Sequence, residues 1–224
     1  MNVDVRPTEA ADLVTDLNTL DGLPDGAVEG FFSHAFFEHL YRDSRLPHLR
    51  SVFERGGFAC YLGLPDFKRI AELYLSGARG VEGPVFDLHE VYRYTHGDPE
   101  MGGIEWLPQL HKSLFDVPQL DRLLRDAGFP SYVIFRYVFP ADPPELDLSL
   151  GFYATAVRRQ PSELKADAEK FLRQFDGRFL VTDSLSFDAT RSRRDSTARV
   201  LAGRPALAGR RLAYRAACRL AQLS

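Results

Sequence analysis

Residues 24–66 read PDGAVEGFFSHAFFEHLYRDSRLPHLRSVFERGGFACYLGLPD. The opening Pro24-Asp25-Gly26 follows Leu23 as a turn signal. Residues 28–33 form a short apolar run of the kind found in strands covered by helices on both faces. Residues 36–40 and 46–53 read as helix, with Pro47 tolerable in a first turn. Gly56-Gly57 closes that helix by a left-handed exit. Residues 58–64 are the next strand, and Leu64-Pro65-Asp66 ends it. Asp66 caps a helix over 67–75, whose Ile70, Leu73 and Tyr74 share a face.

Upstream, residues 2–5 make a strand end closed by Arg6-Pro7, and 11–17 read as a short helix or strand. Downstream, residues 76–110 carry glycine-rich spots and the only tryptophan, Trp106, and read as an insertion or lid. A helix follows over 118–127, stopped by Gly128-Phe129-Pro130. Strands over 132–139 and 148–157 are joined by the loop 140–145 without a helix, which indicates an antiparallel hairpin. Residues 161–175 form an amphipathic helix, 183–196 read as flexible, and 201–223 read as a last helix. Strand–helix alternation with a terminal strand pair makes this an α/β layered fold. We divide it at 158/159, with an Arg-rich helical extension over 159–224.

At 224 residues, 45% of them hydrophobic, the chain fits one globular domain with an extension. No apolar run reaches the length of a membrane span, and the polar, acidic start carries no secretory pattern. Cys60 and Cys218 have no metal-type spacing, which suits a reducing, cytoplasmic setting. The net charge of −3 conceals a split, since residues 191–224 hold nine arginines against the single acid Asp195. In a helix, Arg211, Arg215 and Arg219 form a stripe beside the apolar Leu212, Ala216, Leu220 and Leu223. Such a face suits an anionic membrane surface or an acidic partner as readily as docking on the acidic body. Nucleic acid is disfavoured, because only Tyr214 supplies an aromatic among those arginines.

In an open α/β sheet, ligands bind at the carboxyl ends of the strands. That rule points to Asp4, Asp16, Ser33-His34 and Pro65-Asp66. Asp4 reads either as part of a turn or as an acceptor for the two hydroxyls of a ribose. Asp16, beside Leu17, reads either as a cap or as an acceptor for an amino group, with Asp12 a rival. His34 is the side chain best suited to take a proton near neutral pH, and His111 is a candidate substrate contact. Most histidines outside a site are exposed or structurally bonded, and the same holds for His89 and His96. His34 and His39 flank an acid but stand five apart, about 140° around a helix, so they do not make a metal pair and no metal is expected.

NVDVRPTEAADLVTDL (residues 2–17), SHAFFEHL (33–40), GGFACYLGLPD (56–66) and WLPQLHKSLFDVPQLDRLLRDAGF (106–129) occur in an order that resembles the interior of a class I S-adenosylmethionine-dependent methyltransferase, of the methyltransferase type 11-like group. The resemblance covers residues 2–156. It implies a Rossmann-like methyltransferase sheet with a terminal antiparallel hairpin. It also implies a first strand and glycine-rich turn that do not precede Asn2 in this sequence. By the resemblance, S-adenosyl-L-methionine is the cofactor. Asp4 holds its ribose, Asp16 and Leu17 its adenine, and Ser33 lies beside its methionine portion. The acceptor is a small molecule or glycan, with His34 as base and His111 on the substrate. The alternative is a non-catalytic methyltransferase-like module that binds or scaffolds through its basic C-terminal helix.

Overall fold

The computed structural model describes residues 1–4, 7–81, 83–97, 110–138, 146–175 and 180–185. Trp106, the loop 140–145 and the Arg-rich segment 191–224 lie outside these residues, as do the expectations that rest on them. No helix among the described residues is long and apolar enough to cross a membrane.

The order of elements is β1 (Val3–Asp4), β2 (Leu13–Val14), β3 (Val28–His34), a 3₁₀ turn at Phe37–His39, α1 (Arg42–Arg55), β4 (Gly56–Pro65), α2 (Phe67–Ser76), α3 (Leu88–His96), α4 (Val117–Ala127), β5 (Ser131–Val138), β6 (Ser149–Thr155), α5 (Pro161–Leu172) and β7 (Leu180–Leu185). The fold is mixed α/β. β1 and β2 form a two-stranded parallel pair, and the others form one sheet in the order β3-β4-β6-β5-β7. β3 and β4 run parallel. β6 is antiparallel to both β4 and β5, so the hairpin read over 132–157 is present. β7 adds antiparallel to the outside of β5.

Period-two alternation in the central strands builds two cores, one on each face of the sheet. From β4, Ala59 and Tyr61 join Tyr132, Ile134, Phe152 and Ala154 beneath α1 and α4. Cys60 and Leu62 point the other way and meet Val133, Phe135, Tyr153 and the α5 residues Leu164, Ala168 and Leu172. Thus α5 covers one face of the sheet, and β7 extends it, within the segment read from sequence as a helical extension. Val3, Leu13 and Leu17 pack on the first of these cores, so β1 and β2 share it with β3 and β4.

Four local readings are corrected. β3 is not covered on both faces, since Val28, Gly30, Phe31 and Ser33 are half-buried while Glu29, Phe32 and His34 are exposed. The reason is position: among the described residues it pairs with β4 alone, at the rim of its sheet. Pro47 stands sixth in α1, past the first turn, because the helix starts at Arg42. Gly56 makes no left-handed exit; its φ is −127°, and it opens β4. Gly56 and Gly57 are needed for closeness, because an added Cβ would lie 2.8 Å from the Phe31 ring or 2.8 Å from the Glu29 carbonyl oxygen. Finally, residues 183–185, read as flexible, belong to β7.

Helix α1 fastens the segment after β2 to the sheet. Ser51 Oγ donates to the Asn18 carbonyl (2.6 Å) and Arg55 Nε to that of Leu23 (2.9 Å). His48, 3% exposed, bridges the Leu17 carbonyl through Nδ1 and the Tyr61 hydroxyl through Nε2 at 2.6 Å. A carbonyl only accepts, so Nδ1 carries the proton and the Tyr61 hydroxyl donates to Nε2. This arrangement requires a neutral ring, and burial lowers the His48 pKa from 6.5 to about 4. The unfolded chain therefore takes up a proton at higher pH than the folded one. His48's contribution is fully present above pH 6.5 and lost as pH falls towards 4, an acid loss of about 3 kcal/mol at 1.36 kcal/mol per unit. Urea denaturation of the wild type and His48→Gln at pH 7.5 and 4.5 measures it; the variant is expected to lose less stability between the two. Equal losses would show that His48 is not the acid-sensitive group.

Candidate functional site

The polypeptide leaves β3 through a contorted turn. Ala35 has φ +54°, a conformation that non-glycine residues seldom adopt, and Phe36 follows at φ −133° and ψ −44°. Across from it Gly63, φ +88°, marks the break in register between β4 and β6. Its backbone lies so near Ala35 that an added Cβ would be 2.6 Å from the Ala35 nitrogen. The Ala35 amide donates to the Leu62 carbonyl at 3.0 Å. Strain of this kind costs on the order of 1–3 kcal/mol and concentrates where function requires it. Its effect here is to drive Phe37 and Glu38 inward and to leave His39 half-buried at the surface.

Glu38 is 1% exposed. Its main-chain carbonyl accepts from the amides of Lys112 (2.8 Å) and Ser113 (3.0 Å), and Ser113 Oγ donates to Leu40 (2.6 Å). These bonds clamp residues 110–113 alongside the turn and bring His111 to His39, with ring centroids 5.2 Å apart. His39 Nδ1 lies 3.2 Å from the Leu110 carbonyl oxygen, and His111 Nδ1 lies 3.1 Å from that of Tyr94 in α3. The His111 amide also donates to His96 (3.2 Å). Since both acceptors are carbonyls, each Nδ1 is the protonated nitrogen and each Nε2 carries the lone pair. Glu38 Oε1 is 3.7 Å from His39 Nε2, too far for a hydrogen bond, and Oε2 is buried without a partner.

Burial dominates the electrostatics. It raises the Glu38 pKa from 4.5 to about 8 against the opposing main-chain hydrogen bond. It lowers His111 to about 4, helped by the neighbouring His39 and opposed by the bond to Tyr94. His39 is lowered too, by burial first and by the charge of Lys112 among the lesser causes. At neutral pH the three groups are a protonated carboxyl and two neutral imidazoles.

The structure groups the residues singled out in the sequence as follows. Asp4 ends β1 opposite Val14, and Thr15 N donates to the Asp4 carbonyl (3.0 Å), so Asp4 and Asp16 lie at the same end of the parallel β1–β2 pair. Asp16 Oδ1 accepts from the main chain (2.8 Å) and the side chain (2.9 Å) of Asn18, the turn-forming role set beside its binding role. Asn18 Oδ1 is buried without a partner, a second acceptor in the same turn. Leu17 gives its carbonyl to His48. Asp12 Oδ2 accepts from the Asn2 amide (2.7 Å). Ser33 and His34 end β3. Desolvation by neighbouring atoms lowers the His34 pKa from 6.5 to about 4, although the residue keeps exposed surface. Asp66 is committed elsewhere: its Oδ2 accepts from Arg136 Nε and Nη2, both at 2.8 Å. Of the insertion aromatics, Tyr94 stacks on buried Phe86 in a small core shared with Ile70, Leu73, Leu146 and Leu148, and Tyr92 stacks on His96 at 4.7 Å. The insertion is therefore anchored to the site through α3, which holds His111.

The sequence reading weighed His39 against His34 alone as a metal pair and took His111, just after the insertion, as a substrate contact, so it did not group His111 with Glu38 and His39. The signal for the grouping was weak. It lay in an acid next to a histidine, and nothing in the pattern shows that Glu38 points inward.

No family model matches the chain, and no curated protein matches it.

Proposed function

We propose that the protein transfers a methyl group from S-adenosyl-L-methionine to a small-molecule or glycan acceptor. The observation that carries this reading is the sheet order β3-β4-β6-β5, in which β6 alone of these four is antiparallel, together with a parallel β1–β2 pair seated on the same core. The methyltransferase resemblance implies such a terminal hairpin, and it implies a further strand between β1 and β3. Among the described residues, β3 pairs only with β4, and β1 only with β2.

The residues present suit the cofactor's adenosyl half. Asp4, half-buried at the end of β1, supplies acceptors for the ribose hydroxyls. The turn after β2 supplies the exposed Asp16 carboxylate and the unpartnered Asn18 Oδ1 for an amino group. When bound, the cofactor supplies an electrophilic methyl on a sulfonium. The chain's own residues would hold and orient the reactants, which is the main source of rate in a direct transfer. His34, neutral at physiological pH, would take up the proton that the acceptor's oxygen or nitrogen gives up, as a weak base whose lowered pKa passes that proton on readily to water.

Calorimetry with S-adenosylhomocysteine on the full-length protein tests this. The expected result is saturable one-to-one binding that weakens about 10-fold or more in Asp4→Asn, through loss of charge-assisted hydrogen bonds. Absence of binding overturns the reading.

A further inference from the structure

We propose that Glu38, His39 and His111 form a binding site for a divalent first-row transition-metal ion, with zinc the best fit. One donor atom from each of the three residues lies within 4.8 Å of the other two. Donors bound to zinc at about 2.0–2.2 Å stand some 3–4 Å apart, so the three donors would draw together by about an ångström to hold the ion. Two imidazoles and the Glu38 carboxyl, which gives up its proton as the cation binds, favour zinc and its neighbours over magnesium or calcium, which prefer all-oxygen ligation.

Three independent features of the surroundings point to a cation. Both histidines donate Nδ1–H to main-chain carbonyls, of Leu110 and Tyr94, which fixes the tautomer that leaves Nε2 for a ligand. Glu38 Oε2 is buried with no hydrogen-bond donor, an arrangement costly to leave unmet. The main chain at Glu38 is locked by two amides from the segment that carries His111, so the spacing of the donors does not depend on a flexible loop. The nearby positive charge, Lys112, has its Nζ over the Tyr41 ring, 5.2 Å from the centroid. Three protein donors leave at least one coordination position for water or a substrate oxygen. The inference does not depend on methyl transfer, and the site would hold metal in a protein that binds no nucleoside.

The test is titration of the chelator-treated full-length protein with Zn²⁺ by calorimetry and with Co²⁺ by visible absorption. One equivalent of each is expected, with Co²⁺ ligand-field bands and a rise in the melting temperature on adding Zn²⁺. Glu38→Gln and His111→Ala are each expected to weaken binding 100-fold or more. The exposed His89→Ala is expected to leave it unchanged. If Glu38→Gln fails to fold, His111→Ala alone decides the matter, with circular dichroism as its folding control. Wild-type protein that binds no metal overturns the proposal. So does binding that survives His111→Ala, which would place the ion elsewhere.

Discussion

Asp66→Ala is expected to destabilise the protein by about 3–5 kcal/mol, measured as the shift in its urea denaturation midpoint at constant slope. Asp66 is 1% exposed, and its carboxylate receives two hydrogen bonds from the Arg136 guanidinium across the sheet. Removing it leaves Arg136, 18% exposed, with a charge that water reaches only in part. The same side chain accepts from Arg69 N at the start of α2, so a cap is lost as well. The main chain at this point also joins β4 to two distant segments, with Asp66 N donating to Leu148 and Phe67 N to Phe115. The double variant Asp66→Ala/Arg136→Met removes both charges and is expected to recover much of the loss, because the penalty lies in the stranded partner rather than in the pair's own strength. A single variant within 1 kcal/mol of wild type would show that solvent already satisfies Arg136.

Phe37→Ala is expected to cost about 3–5 kcal/mol by the same measurement. Phe37 is fully buried. Its ring stacks on Phe115 at 5.5 Å and meets Tyr61 edge-on at 5.6 Å, while Tyr61 stacks on Phe152 at 5.1 Å. Aromatic packing of this density cannot collapse around an alanine, so the cavity persists. Phe37 also anchors the turn that aims Glu38 and His39. The variant is therefore expected to lose metal affinity as well as stability, whereas Asp66→Ala should lose stability with little change in metal binding. Phe37→Leu keeps most of the volume and should cost less on both measures. A well-folded Phe37→Ala with wild-type stability would mean that the turn is held by its hydrogen bonds to Lys112 and Ser113 alone.

Periodicity and turn chemistry located most of the elements. α4 is the clearest example, with Asp116 as cap, Gly128 at φ +103° as its exit, and Leu120 and Leu124 buried between them. α2, capped by Asp66 and closed by Gly77, is similar. These signals are local, and they survive any rearrangement of the rest. The glycines before β4 show the limit. Gly-Gly after a helix suggests a left-handed exit, but here both are extended, and the reason lies in Glu29 and Phe31 on a neighbouring strand.

The sequence by itself determined the α/β character, the hairpin of β5 and β6, the cap of α2 and the exit of α4, because each depends on residues within a few positions of one another. Tertiary structure alone decided three other matters. It decided that β3 pairs with β4 alone among the described residues, that α5 covers one face of the sheet and β7 extends it, and that His111 meets Glu38 and His39 rather than His34 meeting them. Each depends on contacts between segments far apart in the chain, where the energy of burial and of satisfying main-chain groups selects among arrangements that the local pattern leaves equal.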